Sequence, residues 1–244
     1  MARRAVTDPQ PPSPDDPAPR LYLFADESAR VAALAGRIAQ QLGDAVLARG
    51  RAVLAVSGGR SPVPLFEALR SMPLDWSRVI VTLVDERLVA PTHPDSNEAL
   101  VREHLLRERA ARSQLLGLVD PAALDLQHCV RRANQHALAP DVVVLGMGDD
   151  GHTASLFAQA QGIDQAMDEH RAPNYVGVIP PSAPHPRISM SLRALLAAPC
   201  LLLCIAGEVK RGVYDSAWRD EASAYPIARL LHHRGTRLET YWSP

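Results

Sequence analysis

The segment GMGDDGHTAS, residues 146–155, holds the side chains that acid–base chemistry needs. Histidine titrates near neutral pH, so a neutral His152 ring can take a proton from water. Asp150 precedes it across one glycine, and its carboxylate can hold the ring in one tautomer. A helix-like pattern follows, which predicts that His152 lies at or near a helix N-terminus, where the helix dipole favours the neutral ring. The alternative is an Asp and a His that only cap the helix.

Three further clusters carry groups suited to an anionic or hydroxylated ligand. SGGRSP begins at Ser57 and offers the backbone N–H groups of Gly58 and Gly59, although it matches neither the Walker loop nor G-x-G-x-x-G. VDERLV places Arg87 after an apolar run, and a planar guanidinium can bind phosphate or carboxylate through two hydrogen bonds. GEVKR supplies Lys210 in a similar position. Taken alone, each cluster is more typical of a turn or a solvated surface.

No metal site is predicted from the spacing of the possible ligands. Asp149, Asp150 and His152 could ligate a cation, and so could His232 with His233, but neither set has the spacing of a closed zinc site. The three cysteines lie in apolar stretches, and an odd number without regular spacing argues against a disulfide framework. These features favour free thiols in a reducing cytoplasm.

Apolar runs precede all four clusters and predict the strands that position them. The runs cover residues 52–56, 79–84, 142–148 and 200–207. Continuous apolar runs are expected where helices cover both faces of a parallel sheet, and the alternation with helical patterns predicts an α/β fold with right-handed crossovers. Ligands of such sheets bind beyond the carboxyl ends of the strands. The four clusters are therefore expected to meet at one edge.

Helices are predicted before and between these strands, among them the following three. Apolar residues recur at helical spacing over residues 28–48, and Gly50 is a suitable end. A second helix is expected near DSNEALVREHLL, where Asp95 and Glu98 have the spacing of a capping box. A third is expected within residues 120–140, opened and ended by the prolines at its two ends.

Composition limits the partners and the domain organisation. The 244 residues include 26 basic and 27 acidic side chains, a formal charge of -1, so no overall field attracts nucleic acid or an anionic membrane. The longest apolar window is too short to span a bilayer, and no apolar segment of a secretory signal follows the basic start. Residues 1–20 are proline-rich and expected to be disordered, and residues 21–244 to form one domain. A monomer or a small homo-oligomer fits equally well.

Taken in order, the clusters resemble those of one family. VSGGRSP, LVDERLVAPTHPDSN, VVLGMGDDGHTASLF, PRISMSL and AGEVKR follow one another as in the 6-phosphogluconolactonases, and the match runs from about residue 21 to residue 242. The resemblance implies a single domain with a Rossmann-like, doubly wound, mostly parallel sheet flanked by helices. It also implies hydrolysis of a small phosphorylated sugar lactone, 6-phospho-D-glucono-1,5-lactone, in the oxidative pentose phosphate pathway, without a cofactor or catalytic metal.

The resemblance also implies roles for individual residues. His152 matches the catalytic histidine of the family, and Asp150 matches the aspartate of its Asp-Gly-His motif. The chain departs from the family after Phe157, where Ala158 and Gln159 replace a common Pro-Gly, so the shape of that loop does not follow from the resemblance. The positions that match the family's substrate-binding residues are Ser57, Gly58, Gly59, Arg87, Arg187 and Lys210.

Two alternative functions remain open at this point. An aminosugar-phosphate isomerase or deaminase has the same fold and a similar Asp-Gly-His motif, but such enzymes typically carry Asn-Glu-Pro after the phenylalanine, and SLFAQ supplies no carboxylate there. A non-catalytic sugar-phosphate-binding protein would keep the pocket and add a DNA-binding or partner domain. The presence of both His152 and Asp150 favours the enzyme.

Overall fold

The computed structural model describes residues 19–235 and 238–244. The expected disorder of residues 1–20 therefore falls almost entirely outside the described residues. The strands are β1 (Arg20–Leu23), β2 (Ala52–Val56), β3 (Val79–Leu83), β4 (Asp85–Arg87), β5 (Gln114–Leu116), β6 (Val142–Leu145), β7 (Tyr175–Val178), β8 (Arg187–Met190), β9 (Cys200–Ala206) and β10 (Leu238–Ser243). The helices are α1 (Glu27–Arg49), α2 (Val63–Arg70), α3 (Asn97–His104), α4 (Leu126–Gln135), α5 (Ile163–Ala166), α6 (Leu192–Leu196), α7 (Glu208–Arg219) and α8 (Ala228–Leu231), with short 3-10 turns at Trp76–Arg78 and Glu108–Arg112.

The main sheet has seven parallel strands in the order β1-β10-β9-β6-β2-β3-β5, which confirms the α/β prediction. From β2 the chain moves outward through β3 to β5, then returns to place β6 on the other side of β2. The strand order therefore reverses between β2 and β6, the switch point where doubly wound sheets bind ligands. The four strands that precede the polar clusters are β9, β6, β2 and β3, consecutive neighbours in this sheet. Their carboxyl ends meet at one edge, as predicted.

A second, smaller sheet lies beside the first. Its three antiparallel strands have the order β4-β8-β7. The DER segment forms β4 and pairs with the RISM segment in β8, which sets Arg87 opposite Arg187. The sequence pattern did not predict this sheet.

Helix α1 packs on the core as its periodicity predicts. Leu34, Ile38 and Leu42 are fully buried, and each side chain of this size contributes roughly 1.5–3 kcal/mol by leaving water. The Asp26 side chain caps the first turn by accepting from a backbone N–H, and Gly50 ends the helix with φ 76°.

Within the described ranges, no helix is long and apolar enough to cross a membrane.

The predicted capping box at the start of α3 is wrong. Ser96 is the N-cap, and its hydroxyl accepts from the Ala99 N–H at 3.2 Å. Asp95 lies one residue before the cap and its carboxylate pairs with His185 instead. The position three residues after the cap is Ala99, so Glu98 falls one residue short of the box position.

The third predicted helix begins later than its proline suggested. Helix α4 starts at Leu126, because Asp125 caps it by accepting from the His128 N–H at 2.7 Å. Pro121 lies in the preceding turn. The helix ends at Gln135, before the proline that was expected to end it. A side-chain acceptor at the N-cap therefore sets this boundary.

The buried carboxylate of Glu86 joins the small sheet to helix α3. Its side chain, in a residue only 1% exposed, accepts from the N–H groups of Asn97 at 2.8 Å and Glu98 at 2.7 Å, and from the Ser96 hydroxyl at 3.0 Å. The Arg87 N–H donates to it as well. Burial raises the pKa of Glu86, although these four donors stabilise its charged form. The carboxylate thereby fixes the backbone that carries Arg87.

Replacing Glu86 by glutamine is expected to destabilise the fold. An amide has one acceptor oxygen, so some of the four buried donors lose their partner, at about 1–3 kcal/mol for each unsatisfied group. We expect Glu86→Gln to lower the free energy of unfolding in urea by at least about 2 kcal/mol. Glu103→Gln, at an exposed position of the same helix, should change it by less than about 0.5 kcal/mol. Equal stability of the two variants would contradict this role.

Candidate active site

A cavity of about 350 Å³ opens at the carboxyl edge of the central strands, beside the switch point between β2 and β6. Its wall combines side chains and backbone from the ends of β2, β6 and β9 with the small sheet. Seven of the eight residues expected from the sequence line it, and the eighth, Asp150, contacts His152. The seven are Ser57, Gly58, Gly59, Arg87, His152, Arg187 and Lys210.

His152 and Asp150 form a hydrogen-bonded pair at the edge of the cavity. His152 Nδ1–H donates to Asp150 Oδ1 at 2.5 Å, and the His152 backbone N–H donates to the same oxygen at 3.3 Å. Burial works to raise the pKa of Asp150, but the hydrogen bond and charge of His152 outweigh it and hold that pKa below its usual value. The carboxylate therefore stays ionised and fixes the ring tautomer. The nitrogen that can accept a proton is then Nε2.

The predicted placement of His152 at a helix N-terminus is wrong. Residues 151–162 form turns, with an isolated bridge between Thr153 and Leu156, and the next helix is α5. The helix-dipole argument for a neutral ring therefore does not apply. The ring is held instead by Asp150 and by Phe157, whose centroid lies 4.2 Å from the imidazole centroid.

The glycines around the pair make room for it. A Cβ on Gly148 would lie 2.3 Å from His152 Nδ1 and 2.6 Å from Asp150 Oδ1, closer than real Cβ atoms approach. The Gly148 N–H also donates to the His152 carbonyl at 2.9 Å. Gly151 has φ 73°, which glycine adopts readily. The spacing of GMGDDGH is thus explained by the packing of an imidazole and a carboxylate against bare backbone.

Arg87 and Arg187 form the cationic wall of the cavity. They are directly opposite each other in the antiparallel pair β4 and β8. Arg187 is only 6% exposed, and burial, followed by the charge of Arg87, lowers its pKa. The Nε atoms of both are buried and find no hydrogen-bond partner among the described residues. Arg187 is buried and Arg87 is half-buried, and two like charges with unused donors in such a place are costly unless an anion binds them. Lys210 adds a third positive charge to the same cavity.

Two more buried polar atoms at this cavity lack partners within the described part of the chain. They are Ser57 Oγ and Asn97 Oδ1. Asn97 was not among the site residues expected from the sequence. Its amide donates to the Asp85 carbonyl at 2.7 Å, and its Oδ1 would lie 1.8 Å from a Cβ on Gly58. The first glycine of SGG is therefore required by the close approach of the Asn97 amide.

Asp85 and Ser155 also line the cavity and were not selected from the sequence. The Ser155 hydroxyl donates to Asp85 Oδ2 at 2.6 Å. Both residues are buried. The signal that could have identified Asp85 and Asn97 was their position in the DER and DSN segments, which belong to the motifs that carry the family resemblance.

The possible metal ligands do not form a metal-binding group. Over residues 19–235 and 238–244, no three His, Cys, Asp or Glu side chains come together as such a group. His232, one of the histidines considered, bonds through Nε2 to the Ala217 carbonyl at 3.0 Å and stacks on Trp218.

Filling the space at Gly148 is expected to separate His152 from Asp150. In Gly148→Ala the new methyl group would occupy the place of the ring and displace it, so the low-field proton resonance of the Nδ1–H···Oδ1 bond should disappear from the NMR spectrum. No described atom lies within 4 Å of a Cβ built on Gly146, so Gly146→Ala should keep that resonance. An unchanged resonance in Gly148→Ala would contradict the packing described above.

Comparison with known proteins identifies the family. The model of the family described as glucosamine-6-phosphate isomerases/6-phosphogluconolactonase matches residues 25–242. A 6-phosphogluconolactonase of Neisseria meningitidis is 41% identical over 226 residues, which cover 91% of this chain and 97% of the relative. One from Pseudomonas aeruginosa is 41% identical over 229 residues, covering 92% and 94%.

A solved structure gives the same result. The crystal structure of a 6-phosphogluconolactonase from Shewanella baltica superimposes with a TM-score of 0.87 at 38% sequence identity, covering 93% of this chain and 98% of that one. Both the sequence and the three-dimensional fold match over nearly the whole length. The chain therefore belongs to the glucosamine-6-phosphate isomerases/6-phosphogluconolactonase family.

Proposed function

We propose that this cavity hydrolyses 6-phospho-D-glucono-1,5-lactone to 6-phospho-D-gluconate, the second step of the oxidative pentose phosphate pathway. The chain is a lactone-hydrolysing member of its family, like the named relatives. The observation that carries the proposal is the arrangement of the site. An imidazole oriented by a carboxylate, His152 on Asp150, shares one cavity with the cationic wall of Arg87 and Arg187. The first pair suits ester hydrolysis, and the second suits a phosphate group.

The first step of the proposed mechanism is the attack of water on the lactone carbonyl. His152 Nε2 removes a proton from a water molecule as the water oxygen forms a bond to C1. The imidazolium that results is stabilised by the ionised carboxylate of Asp150, which already accepts the Nδ1–H. General base catalysis of this kind typically accelerates a reaction by about 10²- to 10⁴-fold.

The second step opens the ring. The tetrahedral intermediate re-forms the carbonyl as the bond between C1 and the ring oxygen breaks. His152 returns its proton to the ring oxygen, which leaves as the hydroxyl group of the open sugar acid. The base is thus regenerated, and the product is a carboxylic acid that ionises in water. The lactone is an activated ester, so a positioned base supplies most of what the reaction needs.

The phosphate group of the substrate is proposed to bind against Arg87, Arg187 and Lys210. A guanidinium presents donors in a planar fork that matches phosphate oxygens. The unused Nε donors of both arginines support this assignment. The turn formed by Ser57 and the following glycines offers the Ser57 hydroxyl and backbone N–H groups to the same ligand.

The isomerase alternative is not favoured. The loop after Phe157 carries Ala158 and Gln159, which are exposed, and supplies no carboxylate to the cavity wall. Of the described residues that line the cavity, Asp85 is the one carboxylate, and its Oδ2 accepts from Ser155. Release of ammonia from glucosamine 6-phosphate by the purified protein would support the isomerase instead.

A cytoplasmic location is the proposal that the cysteines support. Cys129, Cys200 and Cys204 are all free thiols. Free thiols suit a reducing compartment, so we assign the enzyme to the cytoplasm.

Removing the proposed base should abolish most of the catalysis without loss of binding. We expect His152→Ala to lower kcat by about 10²- to 10⁴-fold, because water is no longer deprotonated as it attacks. Calorimetry should still detect binding of 6-phosphogluconate to the folded variant. His136→Ala, at an exposed histidine outside the cavity, serves as the matched control. If His152→Ala turned over freshly prepared lactone at the wild-type rate above the spontaneous reaction, the base would be another group.

Removing one arginine should weaken recognition of the phosphate. We expect Arg87→Ala to raise KM for the phosphorylated lactone by about 10- to 100-fold, the usual effect of losing hydrogen bonds to a charged group. The kinetics of this variant with unphosphorylated glucono-1,5-lactone should stay unchanged. The matched control is Arg131→Ala, at an exposed position on α4, which should have wild-type kinetics with both substrates. An unaltered preference for the phosphorylated lactone in Arg87→Ala would remove this residue from the phosphate site.

A further inference from the structure

Two residues outside the cavity wall form a chain of contacts that ends on Arg87. Arg87 Nη1 donates to the backbone carbonyl of Asp95 at 2.6 Å. Asp95 Oδ2 in turn accepts from His185 Nε2 at 3.1 Å. Neither Asp95 nor His185 was among the expected site residues. The orientation of the Arg87 guanidinium thus depends on a loop that is held by His185.

This chain of contacts links the segments next to the two strands that carry the arginines. Arg87 ends β4, and Arg187, two residues after His185, begins β8. The ladder between the strands continues past this pair, since the Leu88 N–H donates to the Pro186 carbonyl at 2.9 Å. The pairing of Asp95 with His185 is therefore a second, side-chain connection between the same two strands.

The backbone of His185 indicates that this position is held in place. Its φ is 69°, in the left-handed region that few non-glycine residues adopt, and a proline follows it. Such a conformation persists only where the surroundings hold it, and strained residues of this kind are frequent near binding sites. The hydrogen bond to Asp95 and the edge-on contact with the His93 ring, 5.7 Å between centroids, hold the imidazole here. Ala183, in the same loop, lines the cavity.

The charge of Asp95 gives this connection a further consequence. The hydrogen bond from His185, together with the charges of His93, His185 and Arg87, lowers the pKa of Asp95, so its carboxylate is ionised. It also lies close enough to Arg187 to affect the pKa of that residue. A carboxylate at this place can compete with a bound phosphate for the two guanidinium groups. The hydrogen bond from His185 Nε2 holds the Asp95 carboxylate and so limits this competition.

We propose that His185 is a positioning residue for the phosphate site: it holds the Asp95 carboxylate away from the arginines and, through the Asp95 carbonyl, fixes the Arg87 guanidinium. His185 itself does not touch the ligand in this arrangement. The inference rests on the proposed function of the cavity. It predicts an effect on phosphate recognition and none on the chemistry at His152.

The test compares His185→Ala with the conservative variant His185→Gln. We expect His185→Ala to raise KM for the phosphorylated lactone about three- to tenfold, the effect of one modest hydrogen bond, with kcat within about twofold of wild type. Kinetics with glucono-1,5-lactone should not change. His185→Gln should restore most of the KM, because its side-chain amide can reach Asp95 from the place of the ring Nε2. His170→Ala, at an exposed histidine, is the matched control.

A second arm tests whether His185 acts through Arg87. In the Arg87→Ala background, adding His185→Ala should raise KM by a smaller factor than it does in the wild type, since only the effect on Arg187 remains and residues that share one contact chain are not additive. His185→Gly, which tolerates the positive φ, should behave like His185→Ala if the lost ring and not backbone strain is the cause. Independent, multiplying effects of the two substitutions would overturn the inference.

The remaining outcomes separate this inference from the proposed function. An unchanged KM in His185→Ala, or an equal loss with both lactones, overturns the role of His185 and leaves the function standing. If wild-type protein neither hydrolyses the phosphorylated lactone nor binds 6-phosphogluconate, the proposed function itself fails. Should His185→Ala not fold, His185→Gly and His185→Gln carry the same comparison.

Discussion

The hydrogen bond from His152 to Asp150 is the interaction on which the proposed catalysis in this cavity depends. A neutral imidazole can act as a base only through its unprotonated nitrogen. The protonated nitrogen must therefore point away from the substrate, and the unprotonated one must face it. The ionised Asp150 fixes that choice, and the bare backbone at Gly148 gives both side chains the space to meet. The pair is built without a helix, since turns follow it. Contacts within a few residues of the chain therefore set the direction of the proposed proton transfer.

The remaining parts of the site come from long-range topology. The strand order reverses between β2 and β6, and these parallel neighbours bring the SGG turn and the GMGDDGH turn to the same edge. The small antiparallel sheet then adds Arg87 and Arg187 side by side. A single arginine in a surface strand does not by itself indicate an anion-binding site. Placed together and partly buried, with donors unused, they make a site that binding of an anion would stabilise.

Local patterns predicted the parts of the fold that local forces decide. Continuous apolar runs identified the four central strands, and the polar residues after each run were correctly expected at one sheet edge. The predicted helix boundaries were wrong where the first backbone N–H groups of a helix found an acceptor that the local pattern did not indicate. The carboxylate of Glu86, from another strand, binds the first N–H groups of α3, and Ser96 caps the helix in place of Asp95. The opposition of Arg87 and Arg187 depends on strand register, which no local pattern reveals.

The most direct test of the account is a crystal structure of the protein with 6-phosphogluconate bound. We expect the product carboxylate to lie within hydrogen-bond reach of His152 Nε2, about 3 Å or one bridging water away. We also expect the phosphate to contact Arg87 and Arg187, which line the same cavity. A product bound in the reverse orientation, with its carboxylate beyond the reach of the imidazole, would contradict the central claim.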